Sequence, residues 1–280
     1  MKKETLNNHL EYYTNNIDYI EGIWYWDLSD LIIETIIQKH IDKLYKWNIF
    51  TILDAWCGNG RRIEKIILKN PEKKLEFIAY DLYKKLLNKA EKKLKWYKNI
   101  SFIHWDLENI KDIEPNTIDL CISIYGPISY VENSNKVIDE IKKVLKNNWE
   151  ALIMWISIYN TINSERYIEN MSIDELQSIV ENEKLVWNNN NNSLNSFSIE
   201  DFVQLWNNNC IECIWWYGIT IYIKPLKEDW EPQSGQKSIV SKKLENDKVF
   251  FRKIYELEMK NNNKIELVNK GNNILALFKK

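Results

Sequence analysis

Between residues 49 and 157 short apolar runs alternate with amphipathic helical patterns, and few folds accommodate that rhythm. Ile49-Phe50-Thr51-Ile52-Leu53 reads as a first strand ending at Asp54, and Leu75 to Tyr80 as a second ending at Asp81. Ile100 to His104, Ile118 to Ile124 and Ala151 to Ser157 follow as strands three to five. Between them, Ile63, Ile66 and Ile67, then Leu86, Leu87, Ala90 and Leu94, then Val137, Ile138, Ile141, Val144 and Leu145 recur at the spacing of one buried helical face. Such alternation specifies a parallel sheet wrapped by helices.

Beyond residue 157 the rhythm changes. Ser172-Ile173-Asp174-Glu175 is a capping box that opens a helix, and Ser198 caps another running through Trp206. The asparagine-rich stretch from Trp187 to Asn195 reads as a flexible loop, and Lys227 to Gln236 as a second mobile connection. Ile211 to Ile223 reads as a strand interrupted near Gly218, and a helix over about Lys242 to Lys260 leads to a last strand at Ile274 to Phe278. Residues 1–46 read as a helical, tyrosine-rich segment, with Leu31, Ile32, Thr35, Ile36 and Ile37 marking a buried face.

The residues that carry chemistry gather where the strands end. In open α/β sheets ligands bind in the crevice beyond the carboxyl ends of the strands. Asp54-Ala55-Trp56-Cys57-Gly58-Asn59-Gly60 joins strand one to its helix, and its glycines permit a sharp bend and a close approach to a ligand. Gly60 and Asp81 are 21 residues apart, close to the spacing that sets a strand-two acid against ribose hydroxyls. The two oxygens of one carboxylate match two vicinal hydroxyl donors. Asp106, just past strand three, is placed to accept from an adenine amino group.

Ile52-Leu53-Asp54-Ala55-Trp56-Cys57-Gly58-Asn59-Gly60-Arg61 resembles the first motif of the class I S-adenosylmethionine (SAM)-dependent methyltransferases, written L-D-x-G-C-G-x-G, with Trp56 in place of a glycine. His104-Trp105-Asp106-Leu107 is similar to the family's G-D segment, and Val144-Leu145-Lys146-Asn147-Asn148-Trp149-Glu150 to its L-K-P-G-G turn, again with Trp for Gly. The resemblance covers residues 49–157, and Ile274-Leu275-Ala276-Leu277-Phe278 fits the family's last strand. It implies an α/β, Rossmann-like fold: a seven-stranded sheet of order 3-2-1-4-5-7-6, strand 7 antiparallel, with helices on both faces. Residues 1–46 would then be an N-terminal cap, and residues 47–280 the methyltransferase domain with a lid insertion at about 158–209. The tyrosines Tyr12, Tyr13, Tyr19 and Tyr25 are expected to fold over the cofactor.

The cofactor implied is SAM, and the activity is transfer of its methyl group to an acceptor. By the resemblance Asp54, Ala55, Trp56, Cys57, Gly58 and Gly60 contact the methionine part. Asp81 and Leu82 hold the ribose, Asp106 and Leu107 the adenine, and Ser123, Ile124 and Tyr125 line the sulfonium side. A nicotinamide-binding Rossmann domain competes, but it wants a third glycine where Ile63 stands and lacks an acid ahead of the loop. Methyl transfer needs chiefly in-line placement of a nucleophile, a proximity effect of up to roughly 7–11 kcal/mol. Tyr125 and Tyr130 are the candidates for acceptor contact; no catalytic base stands out, and His104 reads as a core or cofactor-edge residue.

Ile124-Tyr125-Gly126-Pro127-Ile128-Ser129-Tyr130 is not the N/D-P-P-Y/F of enzymes that methylate exocyclic amines, and no Pro-Cys nucleophile is present. Both absences favour a small-molecule acceptor; an RNA or protein methyltransferase is the alternative, and a non-catalytic SAM-binding scaffold or sensor the reading from a different class. A net charge of -2 gives no electrostatic pull toward phosphate backbones, so a nucleic-acid partner is not indicated and would need a local basic patch. No run of about 18 apolar residues suggests a membrane span, and the N-terminus does not read as a secretory signal, so a cytoplasmic protein is expected. Cys210 and Cys213 form a C-x-x-C pair without two further ligands, and His9, His40 and His104 show no ligand spacing, so no metal is expected.

One anomaly crosses all of this. The chain has 7 glycines and 13 tryptophans, where average usage gives about 20 glycines at this length. Tryptophan also falls where glycine is chemically natural: Trp56 in the loop, Trp105 before Asp106, Trp149 after Asn147-Asn148. This pattern suggests tryptophans encoded by UGA codons that the source organism reads as glycine.

Overall fold

The computed structural model describes residues 23–158, 172–182, 184–187, 192–229 and 237–280, together with Glu11 and Asn15. Helix α1 (Trp24–Leu44) buries Ile32, Ile33, Ile36, Ile37 and Ile41, a repeat of one face per turn. Strands β1 (Phe50–Ala55), β2 (Leu75–Asp81), β3 (Ile100–His104), β4 (Ile118–Ser123) and β5 (Leu145–Trp155) alternate with helices α2 (Arg61–Lys69), α3 (Lys84–Leu94) and α4 (Ser134–Val144). Every residue of β4 and all but one of β1 are buried. Covered faces on both sides explain why these strands read as apolar runs rather than alternations.

Local chemistry sets the element ends. Asn70 closes α2: its backbone N–H donates to Ile67 O at 3.1 Å and its amide to Ile66 O at 2.8 Å. Pro71 follows, with no N–H to continue the ladder. Asn133 opens α4, its side chain accepting from Lys136 N at 3.1 Å.

After β5 come α5 (Ile173–Asn182), β6 (Lys184–Trp187), β7 (Asn192–Asn195), α6 (Ile199–Asn208) and β8 (Glu212–Ile219). Helices α7 (Ile239–Asn246), α8 (Lys248–Asn261) and α9 (Ile265–Val268) then lead to β9 (Asn273–Lys279). The main sheet has the order β3-β2-β1-β4-β5-β9-β8, and β9 is antiparallel, so the expected 3-2-1-4-5-7-6 arrangement holds once the separate β6-β7 hairpin is set aside. Two compact units divide the described residues: those within Glu34–Met154, Asp201–Trp215 and Ala276–Lys280, and those within Met1–Ile33, Trp155–Glu200 and Trp216–Leu275.

Several expectations need correction. Strand β5 starts at Leu145, not Ala151, because the expected turn is an irregularity inside the strand, where the pairing with β4 shifts from Ile118↔Leu145 to Leu120↔Glu150. There Asn148 N donates to Lys280 O (3.0 Å) and Lys280 N to Trp149 O (3.2 Å), and Asn148 takes a left-handed φ of 64°. The asparagine-rich stretch is bracketed by paired strands, Lys184↔Asn195 through Trp187↔Asn192, rather than being loop throughout. The long C-terminal helix is two helices that meet at Asp247, whose carboxylate caps the second through Phe250 N at 2.8 Å. Gly218 does not interrupt its strand; the strand ends before Thr220, where φ is 55°. The expected tyrosine lid falls largely outside the described residues, since Tyr12, Tyr13 and Tyr19 are not described, nor are residues 159–171, 183 and 188–191 of the expected insertion. Tyr25 is described: it is fully buried, its hydroxyl 2.7 Å from Thr220 Oγ1.

Candidate functional site

Strand register brings the sequence-derived residues together. Asp54 pairs with Ala79 of β2 and Ile122 of β4, and Asp81 with His104 of β3. In this order β1 and β4 flank the point where the strand sequence reverses, the place where open α/β sheets hold ligands.

The β1 loop is tied to its neighbour by backbone bonds: Trp56 N and Cys57 N both donate to Tyr80 O, at 2.7 and 3.0 Å. Gly58 and Gly60 have φ of +58° and +77°. At Gly60 an added Cβ would lie 2.6 Å from Leu94 Cδ1, so only glycine lets α2 start this close to α3. At Gly58 an added Cβ would meet nothing within 4 Å, so the space over the loop is open. Ala55 and Cys57 are buried, and burial pushes the Cys57 thiol well above the usual range.

Asp54 is completely buried, and neither carboxylate oxygen has a hydrogen-bond partner. Burial lifts its pKa to about 6, against the opposing pull of the Arg62 guanidinium. Asp81 is buried as well but engaged: Oδ2 accepts from Gly58 N at 2.8 Å and Oδ1 from Tyr83 N at 2.7 Å. Burial still prevails over those bonds and, with the charge of Asp54 adding to it, raises Asp81 to about 7. Leu82 is half-buried beside it.

Asp106 is exposed past β3 and caps a short turn, accepting from Glu108 N at 2.9 Å, while Leu107 is buried. Tyr80, whose phenol donates to Asp106 O at 2.9 Å, fixes this segment; it was not singled out from sequence. His104 is exposed on the edge strand, 2.9 Å from Leu82 O, rather than in the core.

At the end of β4, Ser123 and Ile124 are buried, and Tyr125 turns left-handed at φ 66°, followed by Gly126 at φ 75°. Tyr125 N contacts Met154 Sδ at 3.1 Å, and Arg62 lies over the Tyr125 ring at 5.5 Å. Sequence reasoning missed Arg62. Its signal is helical: it lies just after the glycines on α2, four residues ahead of the buried Ile66 and so on the same face. Tyr130 is buried, its ring stacked on Trp56 with centroids 6.3 Å apart.

Among the described residues no group of three or more His, Cys, Asp or Glu side chains could hold a metal, and no helix is long and apolar enough to cross a membrane. Cys210 is exposed and Cys213 half-buried, both free thiols.

Known proteins agree with this geometry. Residues 52–148 match a family model described as a methyltransferase domain. Malonyl-[acyl-carrier protein] O-methyltransferase 2 of Ilyobacter polytropus is 28% identical over 142 residues, covering 48% of this chain and 50% of that protein. The chain thus spans about half the length of the curated relative it matches. An S-adenosylmethionine dependent methyltransferase from Mesorhizobium loti superposes with TM-score 0.53 at 10% identity, covering 93% of this chain and 100% of that one. The [4+2]-cyclase SpnF superposes at 0.56 and 9% identity, covering 88% and 81%. At such identities the likeness concerns the fold. The β1 loop, the strand-end aspartates and the sheet order accord with the match of residues 52–148 to a methyltransferase domain.

Proposed function

We propose that the protein transfers the methyl group of SAM to a small-molecule acceptor at the carboxyl edge of β1, β2 and β4. Asp54 carries this reading: a buried carboxylate, both oxygens unpartnered, beneath a loop with open space at Gly58. A buried charge without a partner is costly, and a cationic donor relieves that cost. The α-ammonium of SAM is such a donor.

In this reading Asp54, Ala55, Trp56, Cys57, Gly58 and Gly60 hold the methionine part. Asp81 and Leu82 take the ribose; each Asp81 oxygen has a lone pair beyond its backbone bond. Asp106 and Leu107 face the adenine, and Ser123, Ile124 and Tyr125 the sulfonium side. SAM supplies an activated methyl on a positively charged sulfur. The chain orients the acceptor and excludes water, with Tyr125 and Tyr130 as the acceptor-facing side chains. The strained backbone at Tyr125 supports that role, because residues held left-handed against preference cluster at functional sites. The name of the Ilyobacter relative makes carboxylic acids and acyl thioesters the first acceptor classes to try.

Incubation with SAM and an acceptor panel tests the proposal, read as S-adenosylhomocysteine (SAH) and methylated product formed together. Binding of SAH without product from any acceptor would favour a non-catalytic role instead.

A further inference from the structure

Trp56 and Tyr130 close the crevice at the switch point. Trp56 leaves β1 and Tyr130 follows β4, and their stacked rings lie across the two loops that a ligand there must enter. The indole is held in that position by a backbone φ of 92°, beyond the left-handed well that non-glycine residues occasionally visit. For a bulky aromatic such a value is an outlier, and glycine alone adopts it without strain.

A second tryptophan has the same defect elsewhere. Trp47 has φ of 64° in the bend after α1, where left-handed glycines commonly end helices. Its side chain is 77% exposed, so burial does not offset the strain. Of the other left-handed residues, Asp112, Asn116 and Asn148 are of the types that tolerate the region, while Tyr125, Cys210 and Thr220 are not, but none of these reaches the φ of Trp56. Trp155 and Trp206 sit differently: both are fully buried, the latter stacked on Phe278 at 4.1 Å.

We propose that positions 47 and 56 are glycine in the protein as its own cells make it, their codons being UGA read as glycine. UGA differs from the glycine codon GGA by one base, so an altered glycine tRNA suffices to read it. At position 56 the consequence is functional: removal of the indole opens the crevice between the β1 and β4 loops and frees Tyr130 to face an acceptor. The claim about position 56 as a cofactor-positioning residue rests on the SAM reading; the claim about residue identity does not.

The first test reads the two codons in the gene and fragments the peptides spanning positions 47 and 56 from protein isolated from its own source. UGA codons and peptides of glycine mass are expected; UGG codons or tryptophan mass overturn the proposal. The second titrates SAH by calorimetry into the full chain as written and into Trp56→Gly and Trp47→Gly. Trp56→Gly is expected to bind at least about tenfold tighter, and Trp47→Gly to raise Tm with unchanged affinity. Equal affinity of the Trp56→Gly and unaltered chains overturns the claim for position 56. Glycine peptides with no SAH binding by any version uphold the residue identity and sink the SAM reading instead.

Discussion

Buried acids lie at both ends of the parallel strands, and Asp54 at the carboxyl end is treated in the opposite way from the two at the amino end. Toward the amino end, Glu150 is held by His40 Nδ1 at 2.7 Å and Lys43 Nζ at 2.6 Å. Asp119 accepts from Thr51 N at 2.8 Å and Lys146 Nζ at 2.6 Å. Toward the carboxyl end, Asp54 has no hydrogen-bond partner at either oxygen. Burial acts to raise both Glu150 and Asp54, but the bonds from His40 and Lys43 hold Glu150 below its usual range while Asp54 rises to about 6. The paired acids strengthen the fold, whereas the unpaired one weakens it and keeps its interaction energy for a ligand.

The sharpest way to break this contrast is to remove one acid of each kind. Glu150→Ala leaves His40 and Lys43 without their carboxylate and should cost about 3 kcal/mol of stability in denaturant titration, with SAH affinity unchanged. Asp54→Asn, made in the Trp56→Gly chain, should lower SAH affinity about a hundredfold by calorimetry, as expected for losing a buried charge-assisted bond. The same variant should raise the Tm of the ligand-free protein. A fall in Tm would mean that Asp54 is structural and the contrast false.

Acidity probes the same difference without mutation. Asp54 is raised in the folded state, so its contribution to stability is full below the unfolded value near 4 and is lost as pH rises through about 6. Glu150 is lowered, so its contribution is present above the unfolded value and lost as pH falls through the folded one. A ligand ammonium needs Asp54 ionised. SAH affinity of the Trp56→Gly chain should therefore fall about tenfold from pH 7 to pH 5, and Asp81, raised to about 7, acts in the same direction. The smallest effect belongs to Lys146→Met: its partner Asp119 is buried, but the lysine is partly solvated, and the loss should be about 1 kcal/mol or less.

The strand ends and the glycine turn were legible because local pattern decides them: β3 begins and ends where the apolar run does. The early start of β5 was not legible, since Asn147-Asn148 favours a turn, and the strand carries it as an irregularity paired with Lys280. The β6-β7 pairing was hidden for a similar reason, because asparagine is depleted in strands and a partner strand supplies what propensity does not. In the candidate site, the acids could be placed from spacing, but the isolation of Asp54 could not. Whether a buried group has a partner depends on side chains distant in sequence, as does the position of Arg62 over Tyr125.

Tyr80 has a consequence for ligand choice. Its main-chain oxygen receives both N–H groups of the β1 loop, and its phenol, at the far tip of the same residue, grips the main chain at Asp106. Both loops are therefore tied by hydrogen bonds to one residue of β2, whose side-chain rotamer helps to set their separation. A molecule that rests on both loops would bridge two segments anchored at a single position in the chain.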